Sequence, residues 1–451
     1  MTRAKTNIVI TTSLYIFYGL LAYMPLHIFI STVFGVATGY LEFAKVCKDI
    51  VLMFGFCLLF ITSLNKAWFK AFISNKITLL LAAYAVLTMI LALFRPTDQD
   101  AEILGIVYNL RFLLFFLYGW LLLYHFPAQI LRDIALRVVL GVGIIVVGFG
   151  IVQYVFLPND ALTHLGFTRA NGVLPAFFID DKPNLERVMS TIRDPNSLGS
   201  YLIIIISLLV ALYLRTKDTM KKNGLIVYGL ASLTCLYFTF SRSAWIGLCL
   251  AIATFVVLLV VRKASVAKRI TRPMVIFGLA SLVLLTGLLF VSRNTYFVKN
   301  VIFHADQSTV QDDPNELRVK FLKESLEDIK NNPLGDGPGT SGLASVKNQV
   351  QGVRLNENYY LQIATEAGIA GLVLFIIILG VVASGLYTNN PGDLIMFGLL
   401  ASFVGLAFAN LLVHIWSNEA VAYTWWGLAG LYMIGGKGIV KKKKNTTQSI
   451  L

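Results

Sequence analysis

The sequence predicts an all-α integral membrane protein with about twelve transmembrane helices and a partly helical extracytoplasmic loop. Two observations carry this reading. Hydrophobic residues fill 57% of the 451 positions and mean hydropathy is +0.73, above the roughly one-half apolar share of a soluble domain. Runs of about 18 or more residues without charge also recur, the length that crosses a ~30 Å hydrocarbon layer as a helix.

The expected spans are 8–30, 50–65, 77–94, 103–124, 136–157, 196–214, 224–241, 243–261, 273–291, 358–383, 393–413 and 419–436. Arg3 and Lys5 precede the first run without a small-residue cleavage site, so it reads as a span and not as a signal peptide. The expected organisation is five helices over 1–157, an extracytoplasmic loop over 158–195, and four helices over 196–291. A large extracytoplasmic loop over 292–357, three helices over 358–436 and a basic cytoplasmic tail over 437–451 complete it.

Orientation follows from loop charge. With both termini cytoplasmic, the inner loops and tail hold 21 of the 38 basic residues but only three acids, Asp133, Asp218 and Asp393, as the positive-inside rule requires. Because the charge is spread over short loops, the basic pI does not indicate nucleic-acid binding. Lys441 to Lys444 fit a tail lying on an anionic membrane surface. Cys47, Cys57, Cys235 and Cys249 lack CxxC spacing, and the five histidines are scattered, so no disulfide framework and no metal site is expected.

Within the second loop, Asp313-Pro314-Asn315-Glu316 offers an N-cap, a proline at N1 and an acid at N3, so a helix is expected to begin there and to end near Asn331-Asn332-Pro333. At about 100° per residue, Phe321, Leu322, Leu326 and Ile329 share one face. Arg318 is the only charge on that face, in a first turn where the helix dipole disfavours a cation. It reads either as a functional group or as half of a structural ion pair. The next stretch, Asn332 to Thr340, holds three glycines and two prolines; it reads as a tight chain reversal, with a phosphate-cradling loop the weaker alternative because GxxxxGK[ST] is missing.

Charges at membrane depth are costly and mark sites or pairings. Arg242 is the break between two spans and reads as a helix-end anchor or a functional cation. Glu357 stands at the mouth of the tenth span with good access for chemistry. Glu366 lies deeper and calls for a structural partner such as an arginine, with Gly368 and Gly371 permitting close helix contact. Arg111, Lys45, Lys48 and Asp49 read as outer-leaflet anchors or headgroup contacts.

These residues resemble the O-antigen ligase and O-antigen polymerase superfamily. The likeness runs through Arg187 to Gly199, Ser241-Arg242-Ser243-Ala244-Trp245, Arg318, Asn332-Pro333-Leu334-Gly335 with Gly337-Pro338-Gly339-Thr340, and Glu357-Asn358-Tyr359-Tyr360-Leu361 with Glu366-Ala367-Gly368. It covers roughly residues 185 to 430. It implies a GT-C-like, metal-independent bacterial inner-membrane glycosyltransferase without a cofactor. Such an enzyme passes glycan from an undecaprenyl-diphosphate carrier to a glycan or lipid-glycan acceptor outside the membrane, with a chain-length regulator protein as a further partner.

Carried over, Arg242 and Arg318 match arginines thought to hold the diphosphate, a role suited to guanidinium forks. Glu357 stands where lipopolysaccharide ligases carry a histidine, and this departure favours a polymerase-like enzyme, or a relative transferring glycan to another surface acceptor, over transfer to a lipid A core. The expected catalytic residues are therefore Glu357, Arg318 and Arg242, with Arg187, Arg193, Asn358, Tyr360 and Arg111 as substrate-binding residues. The rival reading is a lipid-linked oligosaccharide flippase or another transporter, which twelve spans suit equally well.

Overall fold

The computed structural model describes residues 8–179, 182–262 and 314–433, with backbone alone at 183, 184 and 314–318. The described residues are mostly helical. A first group comprises α1 (Ile8–Tyr23), α2 (His27–Thr38), α3 (Leu41–Ser63), α4 (Phe69–Ile73), α5 (Lys76–Phe94), α6 (Gln99–Leu122) and α7 (Ala128–Phe156). A small antiparallel hairpin follows, β1 (Phe177–Ile179) on β2 (Lys182–Arg187), with Phe177 opposite Arg187. Then come α8 (Pro195–Arg215), α9 (Thr219–Phe238), α10 (Arg242–Val261), α11 (Pro314–Asn331), α12 (Tyr359–Asn389), α13 (Leu394–Ala409) and α14 (Glu419–Leu431).

Among the described residues, eight helices are long and apolar enough to cross a membrane, the first formed by α1 and α2 together. Every expected span that falls on described residues has a helix in its place; 273–291 lies outside them, as does the tail 437–451. Helix α9 is made more polar than the eight by Lys221, Lys222 and Asn223 in its first turns, while α13 and α14 are shorter. The clearest displacement is α3, which begins at Leu41 and so carries Lys45, Lys48 and Asp49 inside the helix.

Local chemistry sets the ends. Asp194 caps α8 by accepting from the Ser197 amide at 2.9 Å and its hydroxyl at 2.6 Å, with Pro195 at the first helical position. Asn358 caps α12 in the same way, accepting from Tyr360 N at 2.9 Å and Leu361 N at 3.1 Å. Packing relies on small residues and aromatics. Helices α10 and α13 touch backbone to backbone at Gly247 and Gly405, where a Cβ on Gly405 would meet the Gly247 carbonyl at 2.3 Å. Helix α14 buries Trp426 against Phe112 and Phe116 of α6, and Trp425 packs on Phe403 of α13.

The two ends of the bundle gather different segments. At one end, Arg132 and Asp133 of α7, Arg215 closing α8, and Asp393 and Leu394 opening α13 line a polar cavity of about 250 Å³. At the other, Val188 N donates to Phe238 O, Tyr359 N donates to Asn410 O, and the Thr97 hydroxyl donates to Pro338 O. The starts of α6, α8, α10, α12 and α14 and the whole of the segment 314–358 therefore gather at this second end.

Candidate functional site

Helix α11 lies against the start of α12, and its amphipathic character sets the contact. It buries Ser325 and half-buries Phe321 and Ile329, whereas Leu322 and Leu326 remain exposed. The buried face is thus centred on Phe321, Ser325 and Ile329, turned away from the expected Leu322 and Leu326. A groove of about 150 Å³ opens between the helices, lined by Val319, Phe321, Leu322 and Ser325 on one side and Asn356, Glu357, Asn358 and Leu361 on the other, with Leu411 and Leu412 closing it. Glu357 is exposed at this groove, immediately before the α12 cap. Arg318 precedes the first groove-lining residue of α11; its side chain lies outside the described residues.

The cap fixes Asn358, and the Tyr360 hydroxyl donates to Ala407 O at 3.0 Å, tying α12 to α13. Asn358 and Tyr360, two of the five expected substrate-binding residues, therefore have structural bonds that hold the Glu357 segment in place.

A second group of candidates surrounds the starts of α8 and α10. Arg187 Nε donates to Thr239 O at 2.9 Å, and its terminal nitrogen donates to the Asn196 side-chain oxygen, also at 2.9 Å. This locks the α9–α10 turn to the head of α8. Arg193 and Arg242 are half-buried beside this junction. Phe240 adopts φ +48° in the turn and Ser190 φ +55° in the preceding segment, conformations that non-glycine residues hold only under surrounding constraint. Ser190 has that constraint, since its amide donates to Gln153 Oε1 at 2.8 Å and its hydroxyl to Val146 O at 2.6 Å. Gln153 in turn donates to Glu186, whose carboxyl is raised above its usual range by burial, partly offset by that hydrogen bond.

The glycine-rich segment does more than reverse the chain. Helix α12 is broken at Gly368, with φ +71° and ψ 179°, and loop 333–341 is spliced into the break. Asp336 N donates to Thr365 O at 2.8 Å, Gly337 N to Glu366 O at 3.0 Å, and Ile369 N to Pro333 O at 3.0 Å. The expectation that Gly368 serves a helix–helix contact is corrected: a Cβ there would meet the Leu334 carbonyl carbon at 2.5 Å. Glu366 has no arginine partner among the described residues. Its carboxylate, 1% exposed, accepts from Asn109 Nδ2 at 2.6 Å, Gly339 N at 3.0 Å and Ser341 N at 3.4 Å. Gly339 sits so tightly against α6 that a Cβ would lie 2.1 Å from Ala101 O, at φ +84°. Gly339→Ala is accordingly expected to lose most of its folded yield, measured as the monodisperse fraction in detergent; wild-type yield would mean the loop is not docked this way.

Arg354 completes the assembly. Its guanidinium pairs with Asp336 of the loop at 2.8 Å and with Asp328 of α11 at 3.5 Å. Burial nevertheless raises the Asp328 carboxyl above its ordinary range, with Arg354 opposing the shift.

The charges expected as outer-leaflet anchors are instead enclosed. Lys48 and Arg111 are each 5% exposed, and they meet Asp49 and Glu419. Arg111 lies 3.0 Å from Glu419 and 3.8 Å from Asp49, donates to Ser417 O at 2.8 Å, and stacks 4.5 Å over the Tyr108 ring. Lys48 lies 2.8 Å from Asp49 and 3.7 Å from Glu419. Two cations and two anions thereby neutralise one another between α3, α6 and α14, as burial of charge demands. Lys45 stays nearer the surface, paired with Glu42 at 2.8 Å and donating to Asn171 O.

Sequence reasoning missed Glu419, Asn109, Asp336 and Arg354. Glu419 in a first helical turn looks like an ordinary dipole-friendly acid, and Asn109 carries no charge to draw attention inside α6.

Residues 227–376 match a family model described as O-antigen ligase, a stretch that runs from within α9 into α12 and includes Arg242, Arg318, Glu357 and Glu366. Arg111, Arg187 and Arg193 fall outside it. Curated proteins include no match to the chain.

Proposed function

The O-antigen ligase match over 227–376 supports membership of the chain in the O-antigen ligase and polymerase superfamily of multi-pass inner-membrane proteins, and from this premise we propose that it is a polymerase-like glycosyltransferase joining undecaprenyl-diphosphate-linked oligosaccharide units in surface polysaccharide assembly. The observation that carries the proposal is the groove between α11 and α12. It is apolar along Val319, Leu322, Leu361, Leu411 and Leu412 yet has a carboxylate, Glu357, at its edge. A lipid carrier and a sugar hydroxyl call for such a pairing of surfaces.

In this reading the chain has twelve spans in a GT-C-like arrangement with both termini cytoplasmic. The end that bears Arg132, Arg215, Lys217, Lys221 and Lys222 faces inward by the positive-inside rule, so the groove opens outside. Arg242 and Arg318 hold the donor's diphosphate, with Arg193 and Arg187 supporting the first of them. The acceptor hydroxyl attacks the anomeric carbon, the bond from that carbon to the diphosphate oxygen breaks, and undecaprenyl diphosphate departs with the bonding pair. Glu357 takes the hydroxyl proton as attack proceeds. The guanidinium groups neutralise the charge that grows on the leaving oxygen, so the scheme needs no metal ion. Asn358 and Tyr360 hold Glu357 in register, and the buried Arg111 acts as a brace.

Purified protein incubated in detergent with lipid-linked repeat units is expected to release products of increasing length. Transfer to a lipid A core without elongation would identify a ligase, and intact substrate would favour a flippase. Glu357→Gln is expected to lower turnover by about 100-fold, the usual worth of a positioned general base; an unchanged rate would remove proton transfer from this residue.

A further inference from the structure

We infer that Glu366 is a positioning residue: its buried carboxylate pins the glycine loop into the break of α12 and, through that loop, sets where α11 stands over the Glu357 groove. The consequence for catalysis rests on the functional reading above; the geometry does not.

An ionised group inside a membrane helix is costly and normally serves a pathway, a pairing or a site. The partners of Glu366 among the described residues are neutral, the Asn109 amide and two loop N–H groups, with the Gln362 amide beside them. What the carboxylate visibly does is gather the loop. The break at Gly368 frees the carbonyls of Thr365 and Glu366, and the loop supplies Asp336 N and Gly337 N to them, so backbone and side chain of one residue hold successive parts of the same segment. From the loop the connection continues outward: Asp336 grips Arg354, and Arg354 reaches Asp328 of α11. No other acceptor among the described residues serves the Gly339 and Ser341 amides, which are buried where water cannot replace it.

The hydrogen-bond inventory separates positioning from chemistry. In Glu366→Gln the amide oxygen still accepts from Gly339 and Ser341, and its nitrogen donates to Asn109 Oδ1, which has no hydrogen-bond partner, once the Asn109 amide turns over. In Glu366→Ala both loop bonds vanish.

The test is hydrogen–deuterium exchange over residues 335–341 of the purified full-length protein, read beside turnover of lipid-linked repeat units. Glu366→Ala is expected to speed exchange of that loop by at least about tenfold, in line with loss of hydrogen bonds to a charged group, and to lower turnover. Glu366→Gln is expected to restore both. Asn109→Ala, which removes one bond only, is expected to give an intermediate exchange rate and serves if the alanine at 366 does not fold. Wild-type loop exchange in both Glu366→Ala and Asn109→Ala overturns the inference. So does a Glu366→Gln protein with wild-type exchange and turnover as low as the alanine variant, since the charge itself would then be needed. A wild-type protein that leaves lipid-linked glycan unextended sinks the functional reading alone, because loop exchange still decides whether Glu366 holds the segment.

Discussion

Arg318→Ala protein is expected to insert and fold normally yet to make polymer at least about 100-fold more slowly, the usual effect of removing one preorganised group from a developing negative charge. Folding should survive because α11 is held by Phe321, Ser325 and Ile329 against α12 and by the Arg354 pairing with Asp328. The effect should be large because α11 lines the groove that bears Glu357, and position 318 adjoins the first lining residue, Val319. Arg318→Lys is expected to recover only part of the rate, since an ammonium cannot match a phosphate bidentately. Radiolabelled product length, measured beside size-exclusion profiles, checks both points; full activity in Arg318→Ala would remove its assigned role.

Arg111→Ala is expected to act in the opposite manner, through stability. Removing the guanidinium leaves Glu419 and Asp49 with Lys48 as their remaining cation, and it strips the Ser417 carbonyl of its donor. Breaking a buried pair from one side costs about 3–5 kcal/mol. That loss should fall on the α3–α6–α14 junction and appear as a lower thermal midpoint in detergent, with little protein recovered at 37 °C. Glu419→Gln should be milder than Glu419→Ala, because the amide keeps an acceptor for Arg111. A thermal midpoint unchanged in Arg111→Ala would mean the cluster contributes nothing net and would return the arginine to a role at the substrate.

These two residues mark what was legible in the sequence. The membrane class, the helix positions and the α11 boundaries follow from hydropathy, caps and prolines, which act over a few residues and are written locally. The start of α3 was missed because Lys45, Lys48 and Asp49 look like interfacial charges until Glu419 and Arg111, far along the chain, are known to lie beside them. The splice at Gly368 was missed for a similar reason. A positive φ inside an otherwise regular apolar helix leaves no pattern beyond one glycine, and the loop that fills the gap is identified only by its contacts. Glu357 and Arg242 could be singled out, because a charge at the edge of an apolar run stands out in the sequence on its own. Asn109 was invisible on that criterion.

The most direct measurement is photo-crosslinking with a polyprenyl diphosphate probe that bears its reactive group beside the diphosphate, followed by peptide mapping. Labelling is expected on α11 near Arg318 and at the head of α10 near Arg242, and it should fall in both Arg318→Ala and Arg242→Ala. Labelling confined to the basic end near Arg132 and Arg215, or undiminished in both variants, would contradict a diphosphate site formed by these two arginines.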